Sequence, residues 1–180
     1  EVALEMNEDS YVVAEVSSFQ LETIVDFRPH VSAVLNVTPD HLDRHYTMEN
    51  YASVKLDVCK NQTKDDYLVL NYDDETTRLM ANDKKVKANV IFFSRLHELD
   101  EGICLKQDAI VIKQDGNEQK VIDLKDLRLL GAHNVENYMA GIAIAYYMGI
   151  PLEIIVDTIK EFKGVAHRIE FVREVNGVTY

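Results

Sequence analysis

The stretch from residue 31 to residue 45 reads VSAVLNVTPDHLDRH and joins an apolar run to a dense polar cluster. Val31 to Leu35 is short and rich in β-branched residues, which predicts a buried strand. Asn36 to His45 follows it directly, and in parallel α/β sheets ligands bind at the edge where strands end. The titratable side chains in this stretch are Asp40, His41, Asp43, Arg44 and His45. Their density indicates a functional loop, although a solvated acidic turn would explain an isolated Asp-x-x-Asp pair.

The composition is that of an ordinary globular domain and disfavours a polyanionic partner. Of the 180 residues, 47% are hydrophobic and 28% charged, which is enough for one substantial core. The net charge of -12 leaves no basic face for the phosphates of nucleic acid or of a membrane. Cys59 and Cys104 form no C-x-x-C pattern, which fits a reducing compartment. We therefore expect a cytoplasmic protein that binds neither a nucleic-acid polymer nor a membrane.

Hydrophobic periodicity predicts an α/β fold with a mostly parallel sheet flanked by helices. The predicted strands of this sheet are 11–16, 31–35, 67–71 and 90–94. Short helices lie between them, which is the βαβ rhythm of a parallel sheet. Three shorter apolar runs at 103–105, 109–112 and 121–122, separated by turn residues, predict a small antiparallel meander at one edge.

Two helices and a hairpin are predicted in the last third of the chain. The first helix runs from Val135 to about Met148, with Asn134 as its cap, and Gly149 ends it. The second begins at Pro151 and reaches about residue 162. The Asn176-Gly177 pair then predicts a two-residue type I′ hairpin between 169–175 and 178–180.

Glu15 is an acidic residue inside the otherwise apolar run Tyr11 to Val16. An ionised carboxylate in a buried strand is costly unless a cation or hydrogen-bond donors compensate it. Glu15 therefore lies either at the solvent end of the strand beside an arginine, or at its carboxyl end, where it would bind a divalent cation. Ser17 and Ser18 follow, and either can cap a short helix.

Lys55 lies on the apolar face of a helix predicted from Thr47 to Cys59, with Thr47 as the N-cap. It follows Tyr51 by four residues and precedes Val58 by three, so it projects inward. Either the apolar stem of Lys55 is buried while its ammonium reaches water, or the ammonium binds phosphate or is modified. The residues alone leave both interpretations open.

Five motifs together resemble the central domain of the Mur ligases. They are Glu15-Val-Ser-Ser-Phe-Gln-Leu, Asn36-Val-Thr-Pro-Asp-His-Leu-Asp-Arg-His, Lys55, Gly131-Ala-His-Asn-Val-Glu-Asn and Ala166-His-Arg-Ile-Glu. They occur in the family's order across almost the whole chain. The resemblance implies a P-loop-type ATPase domain over residues 1–173, with 174–180 beginning the connection to a further domain. Phe19-Gln20 and His167-Arg168 are similar to the family member that adds D-glutamate.

The resemblance implies an ATP-dependent amide ligase of peptidoglycan synthesis. ATP would phosphorylate the carboxylate of UDP-N-acetylmuramoyl-L-alanine, and the amine of D-glutamate would attack the acyl phosphate. Glu15, His41 and Lys55 match the family's catalytic positions; Glu15 and His41 would bind Mg²⁺, and Lys55 would add an oxygen ligand once carbamylated. The expected nucleotide contacts are Asn134, Asn137, His167 and Arg168, and the expected substrate contacts are Ser17 and Ser18.

One departure from the family limits what this chain is expected to do alone. None of its 7 glycines is followed by lysine, so we expect the family's P-loop to lie upstream. The N-terminal domain for UDP and the C-terminal domain for the amino acid are likewise expected outside these residues. The isolated piece is therefore predicted to be inactive.

Three alternatives to a D-glutamate ligase stay open on the sequence. One is a Mur ligase that adds a different amino acid. Another is a metal-dependent hydrolase that uses Asp40, His41, Asp43 and His45 as its own metal cluster. The third is a non-catalytic binding module that keeps the ligase fold.

Overall fold

A computed structural model describes residues 6, 7, 10–129, 131–165 and 173–179 of the chain. Its main sheet consists of β1 (Val31–Val34), β2 (Tyr67–Asn71), β3 (Asn89–Ser94), β4 (Gly102–Lys106), β5 (Ala109–Gln114) and β6 (Asn117–Asp123). Each strand lies beside its neighbour in sequence. The pairs from β1 to β4 are parallel, and β4, β5 and β6 pair antiparallel. This arrangement confirms the predicted parallel sheet and its antiparallel meander.

The helices connect or cover these strands. They are α1 (Ser18–Leu21), α2 (Leu42–His45), α3 (Met48–Leu56), α4 (Glu75–Met80), α5 (Ala132–Tyr147) and α6 (Leu152–Glu161). A separate hairpin pairs β7 (Glu174–Val175) with β8 (Val178–Thr179). Asn176 and Gly177 both have positive φ, as a type I′ turn requires, so the predicted hairpin turn is confirmed. Residues 169–172 of its first predicted strand lie outside the described residues. No helix in the described part of the chain is both long and apolar enough to cross a membrane.

Strand β2 is buried on both faces, which explains why it reads as a continuous apolar run. Side chains alternate along β2, so Val69 faces the core cluster formed with α5. Leu68 and Leu70 face the opposite cluster, which also contains Tyr51 and Leu56 of α3. Strand β2 therefore packs between α5 on one face and α3 on the other.

The strand predicted at Tyr11 to Val16 is wrong. These residues form no strand, and Tyr11, Val12 and Val13 are 62%, 64% and 89% exposed. A strand is stable only when its backbone groups pair with a neighbour. Within the described residues this segment has no such neighbour, and β1 pairs only with β2.

The predicted cap at Asn134 is also wrong. Helix α5 begins at Ala132, and Gly131 occupies the N-cap position with a φ of 104°. Glycine adopts positive φ at little cost, so the chain turns into the helix before Asn134, which lies in the first turn. The other predicted caps are confirmed. Thr47 Oγ1 accepts a hydrogen bond from the Asn50 backbone N–H, and Ser17 caps α1.

Candidate functional site

Hydrogen bonds join the loops that follow β1, β2 and β3 at the carboxyl edge of the parallel strands. The backbone N–H of Val37 donates to Asp74 Oδ2 at 3.3 Å. Asp73 Oδ2 accepts from the backbone N–H groups of Arg95 at 2.7 Å and Leu96 at 3.1 Å. Three successive strands therefore contribute loops to one edge, the usual place for a ligand in this fold class.

Asp73 is the buried anchor of this edge. Burial acts to raise the pKa of its carboxyl group, but hydrogen bonds from Ser94, His97 and two backbone N–H groups outweigh burial. The net effect lowers the pKa of Asp73, since these donors favour the charged form. An ionised Asp73 thus fixes the loop after β3.

The start of α5 reaches the same edge through an ion pair. Arg95 Nε donates to Glu136 Oε1 at 3.0 Å. Glu136 directly precedes Asn137, the residue that resembles a nucleotide contact. The N-terminal end of α5 is therefore tied to the loop after β3.

Three of the sequence motifs meet around the ring of Tyr51. The Lys55 ammonium lies 5.1 Å from the centre of this ring and 3.5 Å from the carbonyl oxygen of Asn36. The ring of His41 lies 6.3 Å from Tyr51 and 4.8 Å from Phe19. Lys55 thus projects toward the loop after β1, as its helical position predicts, and shares an aromatic support with His41.

His41 has a backbone conformation that is uncommon for residues other than glycine. Its φ is 54°, and its carbonyl oxygen accepts the N–H groups of Arg44 and His45, each at 3.0 Å. Nonglycine residues in this region are held there by their surroundings and are frequent at functional sites. The loop therefore presents His41 in a fixed place.

His45 is a structural link, whereas its place in the polar loop predicts only a possible metal ligand. It is buried, its Nε2 lies 2.9 Å from Ser18 Oγ, and its Nδ1 lies 3.4 Å from Glu22 Oε1. A hydrogen bond from Arg44 lowers the pKa of Glu22. His45 thus fastens α1 to the loop after β1, and no sequence pattern distinguishes this role from that of a metal ligand.

The predicted metal ligands Glu15, His41 and Lys55 do not form a closed set in the structure. Glu15 is exposed, and no hydrogen bond or ion pair among the described residues joins it to His41 or Lys55. Across the same part of the chain, no group of three or more His, Cys, Asp and Glu side chains could hold a metal ion. The hydrolase alternative required Asp40, His41, Asp43 and His45 to form one metal cluster. The structure does not bring these four side chains together as such a cluster, and His45 is buried.

A cavity of about 790 Å³ lies between α5 and α6. Asn134 and Asn137 both line it, together with Tyr138. Two of the predicted nucleotide contacts are thus brought to one cavity. His167 and Arg168, the other two, lie outside the described residues. Ser17 is exposed at the cap of α1, and the hydroxyl of Ser18 is engaged with His45.

The fold is that of an α/β domain with a mostly parallel sheet, and the chain belongs to the Mur ligase family. The family described as the Mur ligase middle domain matches residues 2–145. A relative named UDP-N-acetylmuramoylalanine–D-glutamate ligase from Thermoanaerobacter sp. is 49% identical over 177 residues, covering 98% of this chain and 38% of the relative. The ligase of the same name from Clostridioides difficile is 49% identical over 174 residues, covering 97% of this chain and 38% of the relative. The chain thus spans about 38% of the length of these relatives.

Solved Mur ligase structures share the fold. MurF from Acinetobacter baumannii superposes with a TM-score of 0.63 at 20% identity, over 82% of this chain and 32% of that one. UDP-N-acetylmuramate-alanine ligase MurC from Thermotoga maritima superposes with a TM-score of 0.58 at 22% identity, over 88% of this chain and 34% of that one. The predicted fold class is therefore confirmed.

Proposed function

We propose that this chain is the nucleotide-binding part of an ATP-dependent ligase that joins D-glutamate to UDP-N-acetylmuramoyl-L-alanine in peptidoglycan synthesis. The observation that carries the proposal is the meeting of three motifs around Tyr51 at the carboxyl end of β1. Relatives 49% identical over nearly the whole chain bear the name of this ligase. In this proposal residues 1–173 form the central domain, and the reaction takes place in the cytoplasm.

The reaction forms one amide bond in two steps. ATP transfers its γ-phosphoryl group to the terminal carboxylate of the muramoyl-L-alanine substrate, which gives an acyl phosphate and ADP. The amine of D-glutamate then attacks the acyl carbon, loses a proton and expels inorganic phosphate. Both steps bring anions together, so the site must offset negative charge at fixed positions.

The residues around Tyr51 are suited to holding groups in place at this edge. Phe19 and Tyr51 pack against the His41 ring, and Tyr51 also supports the Lys55 ammonium. The Lys55 ammonium also donates to the Asn36 carbonyl oxygen at 3.5 Å, which leaves two of its three N–H donors for a phosphate or carboxylate. Asn134 and Asn137 offer amide groups that can both donate and accept hydrogen bonds at the edge of a purine.

The family resemblance implies Mg²⁺ ligands at Glu15, His41 and a carbamylated Lys55. Bound there, the metal would neutralise phosphate charge during transfer. Glu15 is not held against the other two residues, so the residues present do not fit a preformed Mg²⁺ site. We therefore derive no step of the reaction through the metal.

Release of ADP by the full-length protein tests the proposal. We expect release with ATP, Mg²⁺ and UDP-N-acetylmuramoyl-L-alanine to require D-glutamate and to disappear in Lys55→Ala. Lys84→Ala is the matched control, because Lys84 is exposed on another loop. Release that another amino acid supports better would assign the chain to a different member of the family. No release with any amino acid would favour the binding module.

A further inference from the structure

Four aromatic rings form a closed group of contacts at the loop that follows β1. The rings belong to Phe19, His41, His45 and Tyr51. The His41 ring lies 4.8 Å from Phe19 and 6.3 Å from Tyr51. The His45 ring contacts the same two partners, Phe19 at 5.7 Å and Tyr51 at 5.2 Å. Ring centres at these distances attract one another. His41 therefore packs against two rings that His45 holds from another side.

Polar contacts fix the orientation of the His45 ring. His45 is only 4% exposed, and its Nε2 lies 2.9 Å from Ser18 Oγ. Its Nδ1 lies 3.4 Å from Glu22 Oε1, and Arg44 donates a hydrogen bond to the other oxygen of Glu22 at 2.7 Å. The negative charge of Glu22 favours the tautomer with its proton on Nδ1, which leaves Nε2 to accept from the Ser18 hydroxyl. Turning the ring over would lose both contacts.

Ser18, His45 and Glu22 also follow the order of a nucleophile, a general base and a carboxylate in a hydrolase. Burial argues against that role, because Ser18 is only 5% exposed and a nucleophile must reach its substrate. The Ser18 hydroxyl is also engaged with His45. These three side chains therefore act within the protein and not on a substrate.

We infer that His45 is a positioning residue for His41 and Lys55, held in one orientation by its polar contacts. The inference rests on the proposed function, because it takes His41 and Lys55 to act in the ligase reaction. Tyr51 connects His45 to both, since its ring lies 5.1 Å from the Lys55 ammonium and packs against His41. Small displacements of groups at a reaction site lower the rate strongly. His45 thus affects turnover without touching the substrate.

Two single variants of the full-length protein test the polar contact and the ring separately. Ser18→Ala removes the hydroxyl and keeps the imidazole, whereas His45→Phe keeps an aromatic ring and removes both nitrogens. We expect kcat for ADP release to fall about 3- to 10-fold in Ser18→Ala, the range of one hydrogen bond, and at least as far in His45→Phe. The KM for ATP should stay constant, because the proposed base contacts line the separate cavity between α5 and α6.

The double variant Ser18→Ala/His45→Phe distinguishes positioning from a general loss of stability. Each single variant leaves a buried polar group without its partner, which should lower the free energy of unfolding. The double variant removes both groups, so its stability should return toward that of the parent while kcat stays low. Activity that recovers together with stability would overturn the inference.

The His41 ring gives a measurement that does not depend on turnover. In NMR spectra of the full-length protein with isotopically labelled histidine, His41→Gln assigns the His41 signals. We expect these signals to shift in Ser18→Ala, because they depend on the placement of the neighbouring aromatic rings. Signals that stay in place would overturn the inference.

His30→Phe is the matched control. His30 Nδ1 also lies near a carboxylate, 3.3 Å from Asp66 Oδ1, and its ring lies 5.7 Å from that of Tyr67. His30 directly precedes β1, at the opposite end of the strand from His41. We therefore expect His30→Phe to leave kcat and the His41 signals unchanged.

Lys55→Ala separates failure of this inference from failure of the proposed function. Loss of ADP release in Lys55→Ala, with normal kcat in Ser18→Ala and His45→Phe, would overturn the positioning role and leave the proposed function standing. If the parent protein released no ADP with any amino acid, the proposed function would fail. The His41 signals would then still support or overturn the effect of His45 on the His41 ring.

Discussion

Asp66 provides a quantitative test of how the start of the sheet is held. Its Oδ2 accepts hydrogen bonds from Arg28 Nε and from the Thr63 backbone N–H, both at 2.8 Å. Its Oδ1 lies 3.3 Å from His30 Nδ1. Asp66 directly precedes β2, so these contacts connect the segment before β1 to the beginning of β2.

The contribution of these contacts to the free energy of unfolding follows from the pKa of the Asp66 carboxyl group. Burial acts to raise the pKa of Asp66, but the hydrogen bonds from Arg28, Thr63 and His30 outweigh it and lower the pKa to about 2. A fall from the ordinary value of 3.8 to about 2 corresponds to an upper limit of about 2 kcal/mol in the free energy of unfolding. Arg28 is half exposed, and solvent screening brings the ionic contribution nearer to about 1 kcal/mol.

The sign of the pH dependence is fixed by the lowered pKa. The folded state holds the charged carboxylate more favourably than the unfolded chain does, so the stabilisation is complete above the unfolded pKa. It is lost as the pH falls from about 4 through about 2. Asp66→Asn has no carboxyl group to titrate, so its difference from the parent chain should be largest at pH 7 and shrink toward pH 2.

Urea unfolding followed by circular dichroism at 222 nm measures this difference, because the chain contains no tryptophan for fluorescence. We expect Asp66→Asn to lower the free energy of unfolding by about 1–2 kcal/mol at pH 7. Asp65→Asn is the matched control, because Asp65 is its exposed neighbour. Equal losses in both variants, or a loss from Asp66→Asn that does not shrink in acid, would refute the reasoning.

Three further predictions concern the backbone, a thiol and a helix. Gly102→Ala should destabilise the chain by on the order of 3 kcal/mol in urea unfolding, because its Cβ would overlap the Phe92 carbonyl oxygen at a φ of +116°. Gly116→Ala, where φ is positive but space is open, should cost less. Burial raises the pKa of Cys59 to about 11, so its thiol should react with Ellman's reagent at pH 8 only after unfolding. Gly141→Ala should raise the free energy of unfolding by about 1 kcal/mol, because alanine is the better helix former and meets no neighbour.

The parts of the candidate site that lie within one short stretch of sequence could be predicted. The polar loop Asn36 to His45 follows β1 as predicted, and Lys55 projects toward it from α3 because helical spacing fixes its direction. The hydroxyl of Tyr138 has no hydrogen-bond partner among the described residues, and this could not be predicted because it depends on how α5 and α6 pack.

The sequence by itself determined the elements whose signals are local. The apolar runs of β2 and β3, the Asn176-Gly177 turn and the Thr47 cap each depend on a few neighbouring residues, and the structure contains all of them. Tertiary structure alone decided which runs pair and which polar groups are buried. The apolar run from Tyr11 stays outside the sheet, and His45 lies in the interior between Ser18 and Glu22. Pairing and burial join residues far apart in the chain, so the free energy that selects them cannot be read from one segment.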